Sequence, residues 1–195
     1  METKHLDMGC GSSPRNPYNQ DELFGVDLSM PTPIGNLNFR PANLCLEGVP
    51  FDSNTFESVS AFDFLEHIPR QIHLSANSMP RLPFVELMNE VWRVLKPGGK
   101  FYAMTPGYPN PAAFVDPTHV NFITEDTHMY FCGVKPIGKI YGFYGKFEVL
   151  RCERVIPKDS FEPDVSILKI MRKWHRKLMK PSGLSHIVWE LKAEK

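Results

Sequence analysis

Asp7, Gly9 and Gly11 alternate in Lys4-His5-Leu6-Asp7-Met8-Gly9-Cys10-Gly11, where a short apolar run ends in an acid and two glycines. Glycines at this spacing let the chain turn sharply and let a ligand come close to the main chain. A strand running into such a turn opens many nucleotide-binding α/β units. An acid just ahead of the glycines suits a ligand with a positive centre and would repel a pyrophosphate. Pro14 stands where a dinucleotide fingerprint wants Gly or Ala, which argues against a nicotinamide cofactor. Two histidines have the chemistry of a proton acceptor or a substrate anchor. His67 closes Leu65-Glu66-His67, and His119 lies in Asp116-Pro117-Thr118-His119-Val120. Each is also readable as a hydrogen-bonded structural residue, the L-E-H histidine more so, since that motif occurs in enzymes with unlike substrates.

These residues need a scaffold, and the chain alternates strand and helix signals. Residues 4–8 read as a first strand and 23–27 as a second, ending in Asp27. Residues 12–22, with Pro14, Pro17, Asn16 and Asn19, oppose a long helix and predict an abbreviated crossover. Residues 29–37 read as loop, 39–44 as a third strand and 58–62 as a fourth. A short helix is expected around 71–76. In 84–95, Val85, Met88, Val91, Trp92 and Leu95 recur at helical spacing, and Lys96-Pro97-Gly98-Gly99 stops the run. Residues 100–104 give a fifth strand. Residues 105–123 form a long proline-rich loop, longer than the ~2–6 residues usual for such connections, and long ordered loops tend to be functional. Thr124 is expected to cap a further helix. Residues 147–155 and 186–191 read as the last two strands, with an amphipathic helix at 165–179 between them. The alternation implies a mainly parallel sheet with helices on both faces.

Composition narrows the class. With 195 residues, 42% of them hydrophobic and 23% charged, the chain suits a single domain over 1–195 with a real core. No apolar run approaches the ~20 residues of a membrane span. The four scattered cysteines and the lack of a leader pattern are those of a reduced, cytoplasmic protein. Neither H-E-x-x-H nor a Cys/His zinc spacing occurs, so no metal is expected. The net charge is zero but uneven: residues 1–66 hold ten acids and three bases, and the remainder twelve acids and nineteen bases. An acidic first third suits a cationic cofactor, and a basic remainder an anionic acceptor.

Three further stretches sharpen the reading. Asn43-Leu44 with Val49-Pro50-Phe51-Asp52, then Phe64-Leu65-Glu66-His67-Ile68-Pro69, then Glu90-Val91-Trp92-Arg93-Val94-Leu95-Lys96-Pro97-Gly98-Gly99 follow Leu6–Gly11 in order. Together they resemble the class I S-adenosylmethionine-dependent methyltransferases, the small standalone type 11 group in particular. The resemblance implies a Rossmann-like seven-stranded sheet, mostly parallel, whose last strand lies antiparallel between the fifth and sixth. It implies S-adenosyl-L-methionine as cofactor. Asp7 and the backbone of Gly9, Cys10 and Gly11 would then hold the methionine moiety, and Asp27, with Leu28 beside it, the ribose hydroxyls. Asn43 and the N–H of Leu44 would reach the adenine, and Phe62 and Asp63 would lie beside the sulfonium. Asn43 replaces the aspartate common in the family, and helices that often precede the first strand are missing here.

The implied activity is methyl transfer to an oxygen or nitrogen of a small-molecule acceptor; some relatives with a similar loop act on sugars or glycan precursors. His119, with His67, is the candidate base or anchor, and loop 105–123 the candidate lid. Tyr108, Phe114, Phe122, Tyr130 and Phe131 are candidates for an aromatic acceptor pocket. Two alternatives stand beside this reading. One is an RNA methyltransferase using the basic face of the 165–179 helix, disfavoured because no nucleic-acid module accompanies it. The other is a non-catalytic binding protein of the same fold.

Overall fold

The computed structural model describes residues 2–29, 35–75, 78–157, 171, 174–175 and 184–195. Seven strands form one sheet: β1 (Lys4–Met8), β2 (Glu22–Asp27), β3 (Asn38–Pro41), β4 (Phe56–Phe62), β5 (Leu95–Pro106), β6 (Phe147–Val155) and β7 (His186–Ala193). Their order is β3-β2-β1-β4-β5-β7-β6. The first five are parallel, and β7 runs antiparallel between β5 and β6. This is the Rossmann-like arrangement expected. Because β1, β2, β4 and β5 share one direction, their carboxyl ends lie on one edge of the sheet, where open α/β folds bind ligands.

Burial explains the central strands. Leu6, Met8, Val59, Ala61 and Phe101 are fully or almost fully inaccessible, as in strands covered on both faces. The long helix α1 (Pro83–Val94) begins with proline at its first position and buries Phe84, Leu87, Met88, Val91 and Val94 against the sheet. A large apolar cluster lies on this side, with Phe56, Phe143, Phe147 and Trp189 in it. A smaller one, Phe62, Tyr102, Met104, Val155 and Val188, packs against Tyr18. Tyr18 belongs to the 9–21 crossover, which holds turns in place of a helix, as its prolines predict. Its hydroxyl donates to Glu190 Oε1 at 2.9 Å, so this loop covers part of a face that a helix would otherwise cover.

Four local expectations are corrected. β3 ends at Pro41, because Ala42 turns back to donate to the carbonyl of Asp27 at 3.0 Å. The helix expected around 71–76 is replaced, over its described residues, by an antiparallel bridge between Ile72 and Arg81. Thr124 does not cap an α-helix: its N–H donates to Thr127 Oγ1 at 2.9 Å, and a 3₁₀ turn, Thr127–Phe131, follows. β5 starts as soon as α1 ends, so Lys96-Pro97-Gly98-Gly99 sits in a strand with a register shift opposite Phe56/Ser58. Of the 165–179 helix only Met171, Trp174 and His175 fall within the described residues, and they are helical. No helix among the described residues is long and apolar enough to cross a membrane.

Candidate active site

Asp7 lies beside Ser60 in the β1–β4 register, and the pairing sets its environment. Ser60 donates to Asp7 Oδ1 at 2.6 Å, and the backbone N–H of Arg15 donates to Oδ2 at 2.8 Å. The Ser60 proton is thus used, so its oxygen accepts from His5 Nε2–H at 2.8 Å, leaving His5 Nδ1 to accept from Ser58 Oγ at 2.7 Å. Beneath the loop runs a chain from Ser58 through His5 and Ser60 to Asp7. Burial holds His5 neutral, down to about 3. Burial raises Asp7 to about 6, against the pull of Ser60 and Arg15.

The turn above Asp7 binds the first two strands together. Gly9 and Cys10 donate to the carbonyl of Val26 at 2.8 and 3.3 Å. Gly11 donates to Asp27 Oδ2 at 2.9 Å, and Leu28 donates to Oδ1 at 2.6 Å. The two glycines serve different ends. Both have positive φ, 65° and 51°. A Cβ on Gly9 would meet Phe64 Cδ2 at 2.4 Å, whereas one on Gly11 would meet nothing within 4 Å among the described residues. Gly9 lets Phe64 pack close, and Gly11 leaves open space beside Asp27.

Asn43 follows Ala42, which is bonded to Asp27, so the β3 exit adjoins the ends of β1 and β2. Its Oδ1 accepts from Cys45 N–H at 3.1 Å, and its carbonyl accepts from Leu46 and Glu47. Leu44 is buried beside it, and Leu28 is exposed. The ring of Phe62 already faces a cation: the guanidinium of Arg15 lies 4.5 Å above its centroid. Arg15 is a residue that sequence reading passed over. It sits in the proline-rich crossover, and no motif marks it. Asp63 takes a left-handed conformation, φ 49°, that turns the chain off β4. Its carboxylate meets His186 Nε2 at 3.1 Å, because β7 pairs His186 with Pro106 next door.

His67 and His119 come together, with ring centroids 4.8 Å apart and planes nearly perpendicular. A 3₁₀ turn, Leu65–His67, carries the first. The second sits on the loop after β5, whose base is pinned by a bridge between Gly107 and Ile123. A short helix α2 (Ala112–Val115) lies inside the loop. Val120 and Asn121 both donate to the carbonyl of Glu66 at 2.9 Å, so the loop is sewn to the end of β4. Glu66 is 1% exposed. Its Oε2 accepts from Thr105 at 2.8 Å, and burial pushes its carboxyl up to about 7.

The five aromatic residues named as a pocket separate. Phe114 lies against Tyr108 and Phe122 on the loop surface, with centroids 6.2 and 4.8 Å away. Tyr130 and Phe131 instead line a cavity of about 510 Å³ with Arg70, Leu82, Phe84, Val85 and Tyr141. That volume is in the range of small-molecule sites, ~300–1,000 Å³. Arg70 joins the cavity to the histidine loop by donating to Asn121 Oδ1 at 2.7 Å.

Residues 6–103, half of the chain, match the family model described as a methyltransferase domain. The chain belongs to that family. No curated protein matches this methyltransferase domain in sequence. Among solved structures, one S-adenosylmethionine-dependent methyltransferase from Archaeoglobus fulgidus aligns with a TM-score of 0.59 and 14% identity, over 97% of this chain and 86% of its own. A Haemonchus contortus phosphoethanolamine N-methyltransferase 2, solved with S-adenosyl-L-methionine, aligns at 0.53 and 18% identity, over 100% of this chain and 49% of its own. The [4+2]-cyclase SpnF aligns at 0.57 and 13% identity, over 99% and 75%. Likeness at these identities concerns the fold, and the cyclase shows that the fold also carries other names.

Proposed function

We propose that this methyltransferase domain binds S-adenosyl-L-methionine at the carboxyl ends of β1, β2 and β3 and passes its methyl group to an oxygen or nitrogen of a small-molecule acceptor. The observation that carries the proposal is the acceptor capacity of Asp27. A carboxylate offers about four lone-pair positions. Gly11 and Leu28 use two, one on each oxygen, and so fix the group with a free position on each. That is the geometry two adjacent ribose hydroxyls require, and the open space at Gly11 lies beside it. Asp7 supplies negative charge for a cation, and the Arg15 guanidinium beside it suits the amino-acid carboxylate of the same ligand.

Methyl transfer is an in-line displacement at a carbon that the sulfonium already activates, so alignment and water exclusion supply most of what the protein must add. The acceptor approaches from the other half of the same edge, between the histidine loop and the aromatic cavity. His119 Nδ1 donates to the carbonyl of Ala113 at 3.1 Å, which leaves Nε2 as the ring atom facing Glu66. The cavity of about 510 Å³, with Arg70, Gln71, Thr124 and Asp126 among aromatic and aliphatic residues, has room for a small-molecule acceptor. Calorimetry with S-adenosyl-L-methionine or its demethylated product tests the cofactor half. Binding is expected, and Asp27→Ala should weaken it by ~1–3 kcal/mol. Folded protein that gives no heat and no thermal shift with either compound would sink the reading.

A further inference from the structure

We propose that Glu66, His67 and His119 form a binding site for one divalent transition-metal ion of the zinc class, at the acceptor side of the sheet edge. One donor atom from each residue lies within 4.8 Å of the others. Among the described residues, Glu66 Oε1 has no hydrogen-bond partner although it is buried. A buried carboxylate oxygen without a partner carries its full desolvation penalty, which a bound cation would offset.

Each of the three side chains is fixed on one atom and free on another. Glu66 Oε2 is held by Thr105, so Oε1 is the free oxygen. The carbonyl of Ala113 can only accept, so His119 donates from Nδ1 and presents the lone pair of Nε2. Thr118 has a single hydroxyl proton, and it goes to Asp116 Oδ1 at 2.6 Å. Thr118 Oγ1 therefore accepts from His67 Nδ1–H at 3.0 Å, and the lone pair of His67 is on Nε2. Ring N–H groups bonded to a carbonyl or, through a hydroxyl, to a carboxylate are the supports that orient metal-bound histidines.

The His119–Glu66 spacing suits a shared ion over a direct bond, and the widest donor separation, up to 4.8 Å, must close by a few tenths of an ångström on binding. His119 Nε2 and Glu66 Oε1 are 3.9 Å apart, beyond hydrogen-bond length. Two bonds of roughly 2.0–2.2 Å to a shared ion bring donors about 3.4 Å apart at a tetrahedral angle and about 4 Å apart at wider ones. Two imidazoles and one carboxylate suit zinc and its neighbours over magnesium or calcium, which prefer all-oxygen shells. Three protein ligands also leave a coordination position open. Resting on the methyl-transfer reading, that position takes the acceptor oxygen and lowers the pKa of its hydroxyl, so the nucleophile is deprotonated beside the cofactor.

The test uses the full chain, stripped with a chelator and titrated with cobalt(II) in the absence of cofactor and acceptor. Wild type should develop a visible ligand-field band that saturates at equal metal and protein, and zinc(II) should abolish it. Glu66→Gln, His67→Ala and His119→Ala should each lose the band, while His128→Ala, outside the cluster, keeps it. Thr118→Val, at an exposed position, should weaken cobalt affinity by roughly 10–100-fold without unfolding the chain. A folded wild type with no band, a band that survives in all three ligand variants, or a Thr118→Val variant with unchanged affinity would overturn the proposal. Failure of cofactor calorimetry alone would overturn the methyl-transfer reading and leave the cobalt titration standing.

Discussion

Asp7 and Asp27, at the ends of β1 and β2, have both oxygens engaged by N–H and hydroxyl groups close at hand. Glu66, beyond the end of β4, has one oxygen engaged and, among the described residues, one without a partner. The two halves of the sheet edge use the same residue type at different levels of completion. On the β1–β2 side, the chain alone holds the carboxylates in place, and a ligand adds to bonds already made. Rigid placement with spare acceptor capacity suits the capture of a cofactor. A buried, unsatisfied acid between two oriented histidines suits an ion or the substrate atom that reacts.

The sharpest way to break this comparison is to remove a histidine. His119→Ala should lower turnover by roughly 10²–10⁴-fold while leaving cofactor affinity unchanged. Steady-state rates at saturating cofactor, set beside calorimetry, measure both. A loss of affinity with little loss of turnover would mean that the two halves are not separate.

Within the cofactor half, Gly9→Ala should cost about 2–5 kcal/mol of stability, since its Cβ would meet Phe64 at 2.4 Å and the backbone is left-handed. Gly11→Ala carries only the backbone cost, about 1–2 kcal/mol, but should weaken cofactor binding. Chemical denaturation of the two variants separates packing from ligand space. Equal losses of stability would contradict the distinct uses assigned to the two glycines.

The most gradual effect concerns pH. His5 is neutral to about 3 when folded and takes a proton near 6.5 when unfolded, so its contribution to stability is present above 6.5 and is lost as pH falls toward 3. Asp7 runs the other way. Its carboxyl titrates near 6 when folded and near 3.8 when unfolded, so folding is favoured as pH falls from about 6 to 3.8. Across about pH 4–6 the two slopes oppose, and wild-type stability should be nearly flat on their account. Asp7→Asn removes one slope, and stability should then fall by roughly 1.4 kcal/mol per pH unit on acidification through that window. Denaturation midpoints at a series of pH values measure it. A flat profile in the variant would show that the Ser58–His5–Ser60–Asp7 chain does not titrate as described.

What could be read in the residues was whatever is local along the chain. The apolar runs at 4–8 and 147–155 gave strands at those bounds, because alternation and burial are written in consecutive residues. The helix at 84–95 was legible from its spacing, within one residue at each end. The prolines of 12–22 announced a crossover without a helix. The placement of Asp7, Gly9, Gly11 and Asp27 was legible for the same reason: they lie at strand ends, where the strand pattern fixes their edge.

The β4–β5 half of the edge was decided by tertiary structure. Both histidines were named, but nothing in the linear spacing joins His67 to His119, 52 positions apart. Two backbone bonds from Val120 and Asn121 to Glu66 do that. No linear metal pattern would bring Glu66, His67 and His119 together, because they come from two loops. Arg15 over Phe62, and Asp63 against His186, likewise depend on register between distant strands. Local pattern determines which residues stand at an edge. Only the pairing of parallel strands and the path of the loops between them decide which side chains face one another, because those contacts are set by long-range packing.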